Sequence, residues 1–316
     1  MTSVKKSKQK RIWMIIIITV LAVLALSFAV TKIVYDRTFA RYDCGVTAYP
    51  APLEDMVAAR QPLSYPSGEH LLSGYLYPCR GEQDKNALVI LVPGHNACGD
   101  SYLWQVYELL QYGWSVLTFD PTGCCRSEGD SAVGFSQELL DVKATLEYVE
   151  KQNRFCYNDL ILLGHSRGGY AACCALADRS DVSAVVSVGG VNSAMEGVMS
   201  GSVAYVGPLA YGNYGLLWLY QTMLFGRETV NCRADRILAQ TDTPVLLIHG
   251  AEDEEVPLDR FSIVSHRDSI GGERVEYLIR SHPDRAGHTN LLFDADGTAN
   301  DEVMEKINEF LTKHVG

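Results

Sequence analysis

"LILLGHSRGGYAA", running from Leu160 to Ala172, decides how the chain is read. An apolar run of strand character stops at Gly164. His165, Ser166 and Arg167 follow, then Gly168 and Gly169, then small residues that suit a helix. The five residues Gly164 to Gly168 fit G-x-S-x-G, and a nucleophile elbow requires that pattern between a strand and a helix. The reason is steric. The turn is sharp enough to strain the serine backbone, and the flanking glycines remove Cβ atoms that would hold strand and helix apart. Ser166 would then stand at a sheet edge, at the positive end of a helix. Without that context the same residues would be an ordinary structural turn.

Outward from the elbow, strands and helices alternate. Strand character is found at Leu71–Tyr77, Ala87–Val92, Ser115–Asp120, Leu160–Leu163, Val182–Val188, Val245–His249 and Val275–Arg280. Helical spacing is found at Ser101–Tyr112, Ser136–Asn153, Gly168–Arg179, Pro257–Ile270 and Ala299–His314. Such alternation means βαβ units and a mostly parallel sheet with helices on both faces. "ALVILV" and "PVLLIH" are continuous apolar runs, as strands buried on both faces should be. Sites in such folds lie past the carboxyl ends of the strands. One stretch, about 190–243, breaks the alternation and carries Tyr205, Tyr211, Tyr214, Trp218, Tyr220 and Phe225. It reads as a cap over that edge, with Tyr205, Tyr214 and Trp218 as candidate substrate contacts; an extra packing element is the plainer reading.

A serine hydroxyl needs a base to take its proton, and the base needs an orienting acid. On an elbow of this kind the chain order is Ser, acid, His. After Val245–His249 comes "GAEDEEVP", where Asp253 is favoured over Glu252, Glu254 and Glu255. After Val275–Arg280 comes "SHPDRAGHTN", where His288 is favoured over His282. Two backbone amides must face the developing oxyanion. Arg167 supplies one as the residue after the nucleophile. His95, in the "PGHN" turn after Ala87–Val92, is chosen for the other, with its side chain read as loop packing.

Four stretches in this order, "PGHN" (Pro93–Asn96), "FDPTGCCRSEGD" (Phe119–Asp130), "GHSRGG" and "HGAEDEEVP" (His249–Pro257), make the chain resemble the α/β-hydrolase superfamily over about Leu63–Val315. Within it the chain looks similar to membrane-anchored bacterial serine hydrolases of the serine aminopeptidase-like and monoacylglycerol-lipase-like branches. The resemblance implies an α/β-hydrolase fold and esterase, lipase, thioesterase or peptidase chemistry without a cofactor or metal. Pro93 stands where the family often has His, and Cys124-Cys125 where Gly-containing pairs are usual. The reading is a serine hydrolase for a small-molecule or lipid-like ester with an apolar acyl or aryl group. A peptidase is the alternative, with Glu196 or Glu228 as anchor for a free amino terminus; a non-catalytic binding domain is the second.

The N-terminus is separate in character. Lys5, Lys6, Lys8, Lys10 and Arg11 precede Ile12–Thr31, a run without charge, before Lys32. About 20 apolar residues in a helix match the ~30 Å hydrocarbon core. The basic side is expected in the cytoplasm and the rest outside. The expected organisation is a basic segment 1–11, a signal-anchor 12–34, a linker 35–62 and a hydrolase domain 63–316. A signal cleaved near Ala29 is the rival, giving a secreted protein. Net charge is −11, and the five N-terminal cations deepen it to −16 for the remainder, which argues against nucleic acid as partner. Nine cysteines form no evident disulfide framework, and none has CxxC spacing, so a zinc site is not expected. Cys173-Cys174 read as core.

Overall fold

The computed structural model describes residues 2–45, 49–152, 155–282 and 285–315. The side chains of residues 2–6, Lys5 and Lys6 among them, and the expected helix end at Asn153 lie outside it. The chain opens with α1 (Thr2–Thr38) and α2 (Ala51–Ala59). Then come β1 (Gln61–Ser67), β2 (His70–Tyr77), β3 (Ala87–Val92), α3 (Leu103–Gln111), β4 (Ser115–Asp120) and α4 (Phe135–Lys151). The elbow follows between β5 (Asp159–His165) and α5 (Arg167–Ala175), and β6 (Val182–Val188) comes next. The cap stretch holds α6 (Ala194–Val206), α7 (Tyr214–Phe225), α8 (Arg227–Val230) and α9 (Ala234–Leu238). The chain closes with β7 (Val245–Gly250), α10 (Arg267–Ile270), β8 (Val275–Arg280) and α11 (Asp301–His314).

The strands form one sheet in the order β1-β2-β4-β3-β5-β6-β7-β8. From β4 to β8 every neighbouring pair is parallel, while β2 runs antiparallel to both β1 and β4. β3, β4 and β7 are buried at every position, as their apolar runs demand. Two apolar layers sit on the two faces. One gathers α4, α5 and cap residues; the other gathers α3 and α11. Asn300 caps α11, its side chain accepting from the Val303 amide.

Three regions depart from expectation. β1 was not foreseen because Pro62 and Pro66 weaken strand character; it survives as an edge strand whose inward Leu63, Tyr65 and Ser67 alternate with exposed Pro62, Ser64 and Pro66. Pro257–Ile270 is not one helix. Ser262 bridges to Val191 and caps a short 3-10 turn that leads into α10. Residues 35–62 are not a loose linker. Tyr35 and Phe39, on the last turns of α1, are buried in the core, and α2 buries Leu53. Their polar neighbours hid these single apolar anchors.

The apolar part of α1 lies outside the body. Ser7–Thr38 has a mean hydropathy of 2.8 in its most apolar stretch and is long enough to cross a membrane. Its far end docks on the cap. Asn213 Nδ2 donates to Thr31 Oγ1 at 2.6 Å, Lys32 Nζ donates to the Tyr220 hydroxyl at 3.1 Å, and that hydroxyl donates to Asp36.

Candidate active site

Ser166 sits at φ 55°, ψ −118°, a strained conformation for a residue with a side chain. The surrounding glycines explain how the chain tolerates it. A Cβ on Gly164 would lie 2.2 Å from the Gly168 carbonyl oxygen; one on Gly168 would lie 2.3 Å from that of Val92. Neither position admits any other residue without moving backbone. The Ser166 amide donates to the Val188 carbonyl at 2.8 Å, which pins the turn to the end of β6.

Asp253 and His288, 35 residues apart, meet beside this turn. His288 Nδ1 and Asp253 Oδ2 are 2.6 Å apart. The other carboxylate oxygen accepts from the amides of Glu255 and Val256, and His249 Nε2 stands 3.3 Å from Oδ2. Burial pushes the Asp253 carboxyl up, but hydrogen bonds from His249 and His288 outweigh it and hold it well below the usual range. An ionised Asp253 at Nδ1 fixes the proton there and leaves Nε2 free to accept. The His288 ring packs against Gly189, where a Cβ would come within 3.2 Å of it, and lies 5.1 Å from the His165 ring, centroid to centroid. No hydrogen bond joins Ser166 Oγ to His288 among the described residues. Catalytic hydrogen bonds are often loose before substrate arrives.

The oxyanion turn is packed on the elbow. A Cβ on Gly94 would lie 3.2 Å from His165 Nδ1. The Arg167 amide opens α5 and so has no partner within the helix. The His95 side chain packs against Phe39, Tyr42 and Phe135, and burial, aided by the Arg167 charge, pushes its pKa down to about 3. It is therefore a neutral packing group. The Arg167 side chain is almost fully buried and pairs with the equally buried Glu138.

Sequence reasoning missed a connection between these loops. The Gly94 amide donates to the Tyr102 hydroxyl at 3.0 Å, and that hydroxyl lies 2.9 Å from His165 Nδ1. His165 Nε2 in turn faces the His288 carbonyl at 3.4 Å. Because Nε2 faces a carbonyl, which can only accept, it carries the proton of the neutral His165 ring, and Nδ1 accepts from the Tyr102 hydroxyl. The Pro93–Asn96 turn, the elbow and the His288 loop are thus one hydrogen-bonded unit. Burial pushes His165 down to about 3 and keeps it neutral. No local pattern marks Tyr102; it reads as one more apolar position of a helix.

Tyr205 is 91% exposed, and Tyr214 is exposed at the start of α7. Trp218 Nε1 donates to Asn231 within the cap. None of the three has a hydrogen bond or ring contact with Ser166, Asp253 or His288 among the described residues. Among the alternatives, Glu252, Glu254 and Glu255 are exposed, and Glu196 is engaged by Arg233 at 2.9 Å. His282 lines a surface cleft with Arg280 and Glu302 that includes none of Ser166, Asp253 and His288.

Residues 83–206 match a family model described as serine aminopeptidase, S33. Among solved structures, an esterase of Pyrococcus furiosus superposes with a TM-score of 0.64 at 18% identity, covering 86% of this chain and 97% of that one. Est1E from Butyrivibrio proteoclasticus, solved with ferulic acid bound, gives 0.58 at 18%, covering 80% and 99%. A proline iminopeptidase of Mycobacterium smegmatis gives 0.53 at 14%, covering 80% and 98%. At these identities the likeness is one of fold. No curated protein matches the sequence.

Proposed function

We propose that the chain, which has the α/β-hydrolase fold and over residues 83–206 matches a serine aminopeptidase family model, is a serine hydrolase of that superfamily acting on a carboxylester or thioester. The observation that carries this reading is the strained Ser166 elbow with the Asp253–His288 pair beside it. Ser166 Oγ attacks the carbonyl carbon while His288 Nε2 takes its proton. The amides of Arg167 and His95 hold the oxyanion, which is where such donors contribute most. As the tetrahedral intermediate collapses, His288 returns the proton to the leaving oxygen or sulfur. Water then attacks the acyl-enzyme by the same route, and Ser166 is regenerated. Asp253 holds the imidazole tautomer and stabilises its charged form. Nothing in this cycle calls for a cofactor.

The substrate proposed is a small-molecule or lipid-like ester with an apolar acyl or aryl group, since substrate pockets are mostly apolar with few polar anchors. A peptidase would need an acidic anchor for the amino terminus. Glu196 is already paired with Arg233 and Glu228 is exposed, so the ester reading is favoured. Purified protein should hydrolyse p-nitrophenyl acyl esters and leave aminoacyl p-nitroanilides nearly untouched. The reverse preference would make it a peptidase.

We further propose that α1 spans a membrane once, with residues 1–11 cytoplasmic and the hydrolase body outside. Its uncharged run and the basic cluster before it support that orientation. Protease added to spheroplasts of expressing cells should digest the body and spare an N-terminal tag. Protection of the body would reverse the topology; an N-terminus starting near Val30 would show cleavage instead.

A further inference from the structure

Four of the nine cysteines converge from three separate segments. Cys44 lies in the stretch after α1. Cys98 precedes α3, three residues beyond His95. Cys124 and Cys125 lie in the loop after β4. Cys44 Sγ is 3.8 Å from Cys124 Sγ, and Cys124 Sγ is 3.3 Å from Cys125 Sγ. The sulfurs of Cys44, Cys124 and Cys125 all lie within 4.8 Å of one another, and that of Cys98 lies within 4.8 Å of Cys125. An Asp120 carboxylate oxygen also lies within 4.8 Å of the Cys98 and Cys125 sulfurs.

This arrangement suits a shared ligand better than pairwise bonds. A disulfide places two sulfurs ~2.05 Å apart, each with a single partner. Four thiolates bound to zinc at ~2.3 Å form a tetrahedron with edges of ~3.8 Å, the distance found between the Cys44 and Cys124 sulfurs. Consecutive side chains usually diverge, but Cys125 adopts a φ of 45° and brings its sulfur back beside that of Cys124. The Cys44 amide donates to Cys125 Sγ at 3.2 Å, the kind of outer hydrogen bond that orients a thiolate ligand. A dication with four thiolates carries a charge of −2, and its charged surroundings are mixed, with Asp43 Oδ1 3.7 Å from Cys125 Sγ. Arg41 donates to the Cys125 carbonyl at 2.6 Å, and the Arg126 guanidinium sits beside Asp120 and Asp100.

We propose that Cys44, Cys98, Cys124 and Cys125 bind one zinc ion, which ties the segment leaving α1 to the oxyanion turn. Binding releases the four thiol protons to solvent, with no redox change. The site is structural: four protein ligands leave no open position for chemistry. It would secure the Tyr42 contacts that already join these parts, namely its amide to the Gly123 carbonyl and its hydroxyl to the Ala97 carbonyl. The missing CxxC spacing hid the site, because its four cysteines come from three separate parts of the chain.

The test is metal content of the full-length chain, purified in detergent without chelator. Plasma mass spectrometry should find about one zinc per chain, lost in Cys44→Ser and Cys98→Ser and retained in Cys156→Ser. Cobalt exchanged into the wild-type site should show the thiolate charge-transfer and visible bands of a tetrahedral centre. Intact mass of the denatured, unreduced wild-type chain needs no variant to fold. A zinc-free chain overturns the proposal, whether its mass falls by two hydrogens per disulfide or its four cluster thiols alkylate freely without chelator.

Discussion

Asp253→Asn should lower kcat on a p-nitrophenyl ester by about four orders of magnitude, the scale found when a triad acid becomes an amide. The fold should hold, because an Asn oxygen can still accept from the Glu255 and Val256 amides that the carboxylate binds now. What is lost is the charge opposite His288 Nδ1, 2.6 Å away. The amide favours the wrong imidazole tautomer and leaves the transition-state imidazolium without its counter-ion. Ser166→Ala should cost at least as much, and the double variant little more, since such residues act as a unit. Steady-state rates alongside thermal melts check this. Activity within tenfold of wild type in a well-folded Asp253→Asn variant would remove Asp253 from the site.

Glu138→Leu should cost about 3–5 kcal/mol of stability, the usual result of stranding one partner of a buried ion pair. Glu138 and Arg167 are both about 1% exposed, and the pair links α4 to the first residue of α5. Burial pushes the Glu138 carboxyl up, with Arg167 pulling it back. Leucine leaves the guanidinium buried without its counter-charge, against a total stability of only about 5–15 kcal/mol. Glu138→Leu combined with Arg167→Met should recover most of the loss, since apolar replacement of a whole buried pair is often neutral or better. Urea unfolding of the three variants measures it. If the single variant is as stable as wild type, the pair contributes nothing to holding the elbow. If the double variant is no better than the single, stranded charge is not the cause.

The parts of the site legible in the sequence are those set by local sterics and chain order. Gly164 and Gly168 advertise the elbow because any Cβ there would run into backbone. Asp253 and His288 stand out as candidates because one follows the fully buried β7 and the other the partly exposed edge strand β8, in the order the fold imposes. What stayed hidden depends on contacts between distant segments. Tyr102 and His165 are 63 residues apart, and neither has a local pattern that announces the other. Tyr35 and Phe39 sit among charged neighbours, so their burial against the body could not be read from hydropathy. The four clustered cysteines span residues 44 to 125, and only Cys124 and Cys125 are close in sequence. For the cap aromatics composition suggested a pocket lining; Tyr205 and Tyr214 are exposed.

The central claim is that Ser166 is an activated nucleophile. A fluorophosphonate probe tests it most directly, because phosphorus is attacked only by a serine whose proton a base removes. Full-length protein in detergent is incubated with the probe, digested and read by mass spectrometry. The account predicts one adduct per chain, on Ser166, absent in Ser166→Ala and strongly slowed in His288→Ala. An unlabelled Ser166 in folded protein, or an adduct on another residue that survives Ser166→Ala, would contradict it.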